Sequence, residues 1–136
     1  MSTVPELSYA RWRHGTPAEQ AQFQAELLCG LQRYGFIILR DHDVPTALLD
    51  HAYELVRALF ALPDTVKRRH GGGLRGYTPF GTEHAKDSRF PDLKEFWQIG
   101  RDIAAGVETT EDFPPNVWPS EPAGFRQLFR QLFSAL

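Results

Sequence analysis

Between Thr16 and Gly35 the apolar positions Phe23, Leu27, Leu31 and Tyr34 recur at helical spacing. Thr16-Pro17-Ala18-Glu19 has the form of a capping box with proline at the first helical position, and Gly35 is a natural stop, so the pattern predicts a helix between them. Phe36-Ile37-Ile38-Leu39 then replaces the helical period with a continuous apolar run rich in β-formers, which predicts a short buried strand. Asp41-His42-Asp43 turns the chain and Pro45 opens a second helix. Its stripe of Leu48, Leu49, Ala52, Leu55, Val56, Leu59 and Phe60 is dense enough to predict packing on the first helix or on a sheet. Pro63 breaks or kinks this helix, and Asp64 can cap one more turn through Lys67-Arg68-Arg69-His70.

From Gly71 to Asp92 periodicity is lost. Gly71, Gly72, Gly73, Gly76 and Gly81 make this passage a long loop, and loops of that length inside a domain are usually functional or mobile. Lys94 to Gly100 returns as a strand with aromatic content, and Phe113 to Pro119 is extended and locked by prolines. Pro122 starts a last helix with Phe125, Leu128, Phe129, Leu132 and Phe133 along one side. That stripe runs to Leu136 without a glycine stop or cap, which predicts a chain cut within a larger domain and an apolar face that needs a partner surface. No internal repeat is apparent.

Composition adds few constraints. A chain of 136 residues with 42% hydrophobic and 24% charged residues is one ordinary globular domain with enough length for a core. A net charge of -2 gives no general drive toward nucleic acid or anionic membrane. The opening MSTVPELSYARW has neither the basic nor the apolar region of a signal peptide, and no apolar run is long enough to span a bilayer. The single cysteine, Cys29, falls within the first helix, where a buried inert thiol is expected. These features predict a soluble protein of a reducing compartment, the cytoplasm.

Candidate chemistry narrows to one loop. His42 between Asp41 and Asp43 invites a metal reading, but a two-histidine-one-carboxylate site needs a His-x-Asp or His-x-Glu pair. None of the five histidines has one. His42 and Asp43 are therefore expected as turn residues, and no catalytic or metal-binding residue is assigned. The triple glycine lacks the Lys-Ser/Thr of a phosphate loop. Lys67-Arg68-Arg69 reads as a solvated helix end favoured by the helix dipole. Adjacency alone makes Glu83-His84 a poor acid-base pair. Arg75, Tyr77 and Phe80 are more specific: a flexible glycine loop presents a guanidinium, a phenol and a ring together, a combination suited to a carboxylate beside an apolar group. Packing of these three as loop anchors is the equal alternative.

The succession of YGFIILRDHDVP, the helix ending in LFALP with Lys67, RGYTPFGTE, DLKEFWQIG and NVWP with FRQLF resembles the N-terminal region of the isopenicillin N synthase-like family. Members are non-haem Fe(II), mostly 2-oxoglutarate-dependent, dioxygenases. Tyr34-Gly35-Phe36, His42, Val44-Pro45, Arg75-Gly76-Tyr77, Glu95-Phe96 and Asn116-x-Trp118-Pro119 carry the likeness, while Asp41 and Asp43 depart from the family's usual Asn and Gly. The opening Val4-Pro5-Glu6-Leu7-Ser8 fits only loosely.

The resemblance implies an α+β fold over residues 1–136, with N-terminal helices and a few strands that brace a double-stranded β-helix (jelly-roll) core mostly absent from this chain. It also implies Fe(II) and 2-oxoglutarate as cofactors of the full-length protein, held by the downstream catalytic domain and not by this chain. The implied partner is a small-molecule substrate, met by a lid that carries Arg75, Tyr77 and Phe80. A free-standing binding or interaction module with the same helices, and no chemistry, is the alternative.

Overall fold

The computed structural model describes residues 3–71, 73–103, 106, 109, 110 and 112–136. Its backbone divides into two units, Met1–Val44 and Pro45–Leu136.

In the first unit β1 (Glu6–Ser8) leads directly into α1 (Tyr9–His14). α2 (Pro17–Tyr34) then carries the chain back to β2 (Ile38–Arg40). The two strands are parallel, with Glu6 opposite Ile38 and Ser8 opposite Arg40, and the helices form the crossover that parallel pairing requires. Ser8 caps α1 by accepting from the Arg11 amide at 3.3 Å. Thr16 and Glu19 complete the capping box of α2, each side chain accepting from the other residue's backbone amide, and Gly35 ends that helix in the left-handed region at φ 79°. Trp12 of α1 lies between Tyr9 and Phe23, with ring centroids at 5.5 and 6.1 Å. Ion pairs Arg13–Asp43 and Arg40–Glu6 tie the turn and the strand pair together.

Three expectations for this unit need correction. The strand after Gly35 forms, but it is exposed along its length, because among the described residues it belongs to a sheet of two strands with β1 as its partner. Phe36 is 57% exposed. Cys29 is exposed, not buried: the inner side of α2 follows Phe23, Leu27, Gly30 and Tyr34, and Cys29 falls off that line, as does Leu31. β1 and α1 have no counterpart in the hydrophobic pattern.

The second unit contains α3 (Thr46–Phe60), α4 (Asp64–Lys67), a 3-10 turn (Arg68–His70), β3 (Gly76–Thr78), β4 (Phe96–Gln98) and α5 (Phe125–Ala135). The stripe of α3 is real, with Ala52 and Leu59 buried, and its main packing partner within the unit is α5. The chain between Gly71 and Asp92 is not all loop. β3 forms inside it and pairs antiparallel with β4, with Tyr77 opposite Trp97; Gly72 lies outside the described residues. The glycine before Tyr77 has a specific reason. Gly76 has φ 84°, and a Cβ there would run into the His70 carbonyl oxygen and touch Val117.

Tyr77, Leu59 and Phe125 are the largest fully buried side chains. Aromatic contacts run from Tyr77 to Trp97 (6.3 Å), from Trp97 to Phe125 (6.2 Å, rings at 59°) and from Phe125 to a stacked Phe129 (4.2 Å). Tilted aromatic pairs of this kind stabilise beyond the area they bury. The last helix begins at Phe125, later than Pro122, and its stripe is partly covered by the chain itself: Phe125 and Leu128 are buried, whereas Phe133 is 49% exposed. Among the described residues no helix is long and apolar enough to cross a membrane.

This division of the α5 stripe is measurable. Leu128→Ala should destabilise the chain by about 2–5 kcal/mol in urea or thermal unfolding, because it opens a cavity at a buried position of α5. Phe133→Ala should cost less than about 1 kcal/mol, because its ring already meets solvent.

Candidate functional site

The strand around which the candidate residues lie is tied down by a buried charge. Lys67, at the end of α4, is only 6% exposed. Its ammonium donates to Glu95 Oε2 at 2.7 Å and to the Phe60 carbonyl at 3.3 Å, and it lies over the Phe60 and Tyr77 rings at 5.9 and 5.2 Å from their centroids. The expectation of a solvated helix end thus holds for Arg68 and Arg69, which are exposed, and fails for Lys67. The reason is Glu95, which arrives from 28 residues along the chain and makes the burial of an ammonium tolerable.

Tyr77 completes the arrangement from β3. Its hydroxyl lies 2.6 Å from Glu95 Oε2 and 3.0 Å from Asp64 Oδ1, so one carboxylate oxygen of Glu95 accepts from both Lys67 and Tyr77. Asp64 is held in turn by Arg68 at 2.5 Å. Burial first, then the two carboxylates that receive its proton, push the Tyr77 phenol well above its ordinary range. Burial also pushes the Glu95 carboxyl up, but the hydrogen bonds from Lys67 and Tyr77 and the charge of Lys67 outweigh it and leave it below its ordinary 4.5. The Arg68 hydrogen bond lowers Asp64. These groups are engaged with one another, which makes the arrangement a clamp on β3.

Arg75 is the contrasting case. It is half-buried; Nη1 donates to the neighbouring Leu74 carbonyl at 3.2 Å, and Nε is buried without a partner among the described residues. No carboxylate of the described residues pairs with it. A half-buried guanidinium in that state is the natural receptor for an anion. Phe80, beyond the far end of β3, is 55% exposed. The loop it begins is closed at its neck, where the Gly81 amide donates to the Asp92 carbonyl and the Asp92 amide to the Glu83 carbonyl, and where Lys94 pairs with Glu83 and Asp92. Glu83 is therefore committed to Lys94 and not to His84.

Tyr77 lies in β3, with Arg75 just before the strand and Phe80 two residues past it, and the three are not brought together as one cluster. Tyr77, at 1% exposure, faces the core. Asn116 is a further residue, one that the motifs leave without a role: its amide takes the Gly100 amide at 2.8 Å and gives to the Gly100 carbonyl at 2.9 Å and to Asp102 at 3.0 Å. The NVWP motif marks the segment but says nothing of this contact. Nor does any pattern mark Glu95 as the partner of Lys67. His42 is an exposed turn residue beside Asp41, whose φ of 53° makes the turn. Among the described residues no group of three or more His, Cys, Asp or Glu could hold a metal ion.

The depressed Glu95 carboxyl contributes stability that is fully present above its ordinary pH of 4.5 and is lost as the pH falls through the lower value it has in the folded chain. Unfolding free energy measured by urea titration should therefore decline below about pH 4.5. In Glu95→Gln, which cannot be protonated in this range, the decline should be visibly shallower.

Residues 4–121 match the family described as the N-terminal region of the non-haem dioxygenase in morphine synthesis. The chain is 32% identical over 130 residues to the 2-oxoglutarate-dependent dioxygenase eupC of Phoma sp., a match that covers 88% of this chain and 42% of that protein. It is 28% identical over 149 residues to the 2-oxoglutarate-dependent dioxygenase frbA of Dothideomycetidae sp. (strain 11243), covering 96% of this chain and 42% of the relative. Among solved structures, a 2OG-Fe(II) oxygenase family protein of Caulobacter crescentus superposes with a TM-score of 0.78 at 36% identity, over 99% of this chain and 44% of that one. A full-length Neurospora crassa protein, solved in complex with alpha-KG, gives 0.77 at 25% identity over 97% of this chain and 42% of that one. The chain thus spans less than half the length of these relatives. With the match running almost from end to end, this chain belongs to the N-terminal family of the non-haem dioxygenases.

Proposed function

We propose that the whole protein is an Fe(II)- and 2-oxoglutarate-dependent oxygenase of a small molecule, and that this chain is its N-terminal scaffold and substrate lid, not catalytic alone. Family membership and relatives named as 2-oxoglutarate-dependent dioxygenases support the reaction class. The described residues do not fit an iron site, since they offer no cluster of ligands. Iron and 2-oxoglutarate, which together supply the oxidising chemistry, therefore belong to the catalytic jelly-roll domain of the same protein. That domain is also the partner for which the exposed Phe36, Ile38 and Leu39 are suited, because a strand with one free edge and an apolar face is built to be covered. The working location is the cytoplasm.

The residues of this chain bind and enclose. Arg75 receives a carboxylate or similar anionic group of the substrate through its unpaired guanidinium, and Phe80 shields the apolar part. Tyr77 acts from beneath as the anchor that fixes β3, so the three residues divide into two that reach the substrate and one that holds them. Residues 71–92 form the lid, stiffened at Pro79 and closed at its neck by Lys94. The observation that carries this reading is the half-buried Arg75 without a carboxylate partner among the described residues.

Steady-state kinetics of the full-length protein, with both substrates varied, test it. A charge-assisted pair worth about 1.5–3 kcal/mol means that Arg75→Ala should raise the KM of the primary substrate about ten- to a hundred-fold. The affinity for 2-oxoglutarate should not change. An unaltered primary-substrate KM, or a weakened 2-oxoglutarate affinity, would make Arg75 a loop anchor.

A further inference from the structure

We propose that Gly100 and Asn116 are positioning residues for the Arg75 guanidinium, an inference that rests on the substrate role given to Arg75 above. The starting point is Gly100. A Cβ built on this residue would lie against the guanidinium, 2.5 Å from Cζ and 2.6 Å from Nε of Arg75, well inside any real contact. Glycine is thus required here for close approach: the planar group rests on bare backbone just beyond β4 (Phe96–Gln98). This seat explains why Nε is buried without a partner, because backbone covers that edge of the fork without offering it an acceptor.

A seat is useful only if it is fixed, and Gly100 is past the end of the strand ladder, where Gln98 opposite Gly76 is the last pair. Asn116 supplies the missing ladder. Its side-chain amide satisfies both the N–H and the C=O of Gly100, as a neighbouring strand would, and its second Nδ2 hydrogen goes to Asp102. Asp102 is in turn paired with Arg130 of α5 at 2.5 Å, and the Trp97 indole donates to the Val117 carbonyl at 3.1 Å. The seat is therefore tied to the helix and to the aromatic core from both sides. Arg75 itself is anchored through Leu74 and through Gly76, whose own tight fit against His70 and Val117 leaves little play. Asn116 touches no substrate in this scheme. It holds Gly100, Gly100 holds the plane of the guanidinium, and the guanidinium meets the ligand with its orientation already set, which lowers the cost of binding.

The test is a mutant cycle in the full-length protein with Arg75→Ala, Gly100→Ala and the double variant, read as KM and kcat for the primary substrate. Gly100→Ala should displace the guanidinium, the flexible end of its side chain, and so raise KM about tenfold with kcat little changed and the melting temperature close to that of the unmodified protein. In the Arg75→Ala background the same substitution should add nothing. Asn116→Asp retains the bond from the Gly100 amide but loses both donated bonds and sets a carboxylate beside Asp102; it should raise KM in the same direction, again only when Arg75 is present. If Arg75→Ala raises KM but Gly100→Ala and Asn116→Asp do not, or if their effects multiply with that of Arg75→Ala, the positioning role is wrong while the substrate role of Arg75 stands. If Arg75→Ala itself leaves KM unchanged, the substrate role falls and this inference falls with it.

Discussion

One carboxylate oxygen, Oε2 of Glu95, organises the second unit. It receives the ammonium of Lys67 from α4 and the hydroxyl of Tyr77 from β3, at 2.7 and 2.6 Å, while belonging to the residue that enters β4. Three elements far apart in sequence are thus joined at one atom. A buried ammonium with no such acceptor would be strongly unfavourable, so the burial of Lys67 dictates where Glu95 and Tyr77 must be. The register of β3 on β4 accords with it, since Tyr77 opposite Trp97 brings their rings together and Trp97 in turn meets Phe125. α3 packs on α5, and each contributes a buried leucine to the core, Leu59 and Leu128. Arg75 inherits its place from the same constraint, two residues before Tyr77 and against Gly100, two residues past the end of β4.

This arrangement separates charges by task. Lys67, Glu95, Tyr77, Asp64 and Arg68 neutralise one another and define structure. Arg75, half-buried and with no carboxylate partner among the described residues, is left with a charge to be matched from outside. On the function proposed above, this guanidinium, just before β3, is the group that would meet a polar part of the substrate.

Local physics made the helices legible. The capping box at Thr16 and Glu19, the stop at Gly35 and the stripe of α3 are each written within a few consecutive residues, and all three stand where the pattern puts them. The features that escaped are short or distant. β1 is three residues long, too short for an alternating pattern, and α1 has no buried residue to produce a stripe. Lys67 looks like one member of a basic run because its partner is supplied from elsewhere in the chain. The exposure of β2 and of Cys29 is set by what covers each face, which hydrophobicity alone does not state. The positions of Arg75 and Phe80, on either side of β3, follow from the glycine-rich pattern around them. The inward turn of Tyr77 follows only from the pairing with β4, and the contact of Gly100 with Arg75 only from close approach in three dimensions.

The most direct measurement of the central constraint is a stability cycle of Lys67→Met, Glu95→Leu and the two combined, followed by urea unfolding. Each single substitution leaves one buried charge without its partner and should cost about 3–5 kcal/mol. The double variant replaces the pair with apolar side chains and should recover most of that loss, giving a large favourable coupling between the sites. Losses that simply add, with each single variant costing less than about 1 kcal/mol, would show that the Lys67–Glu95 contact does not organise this unit.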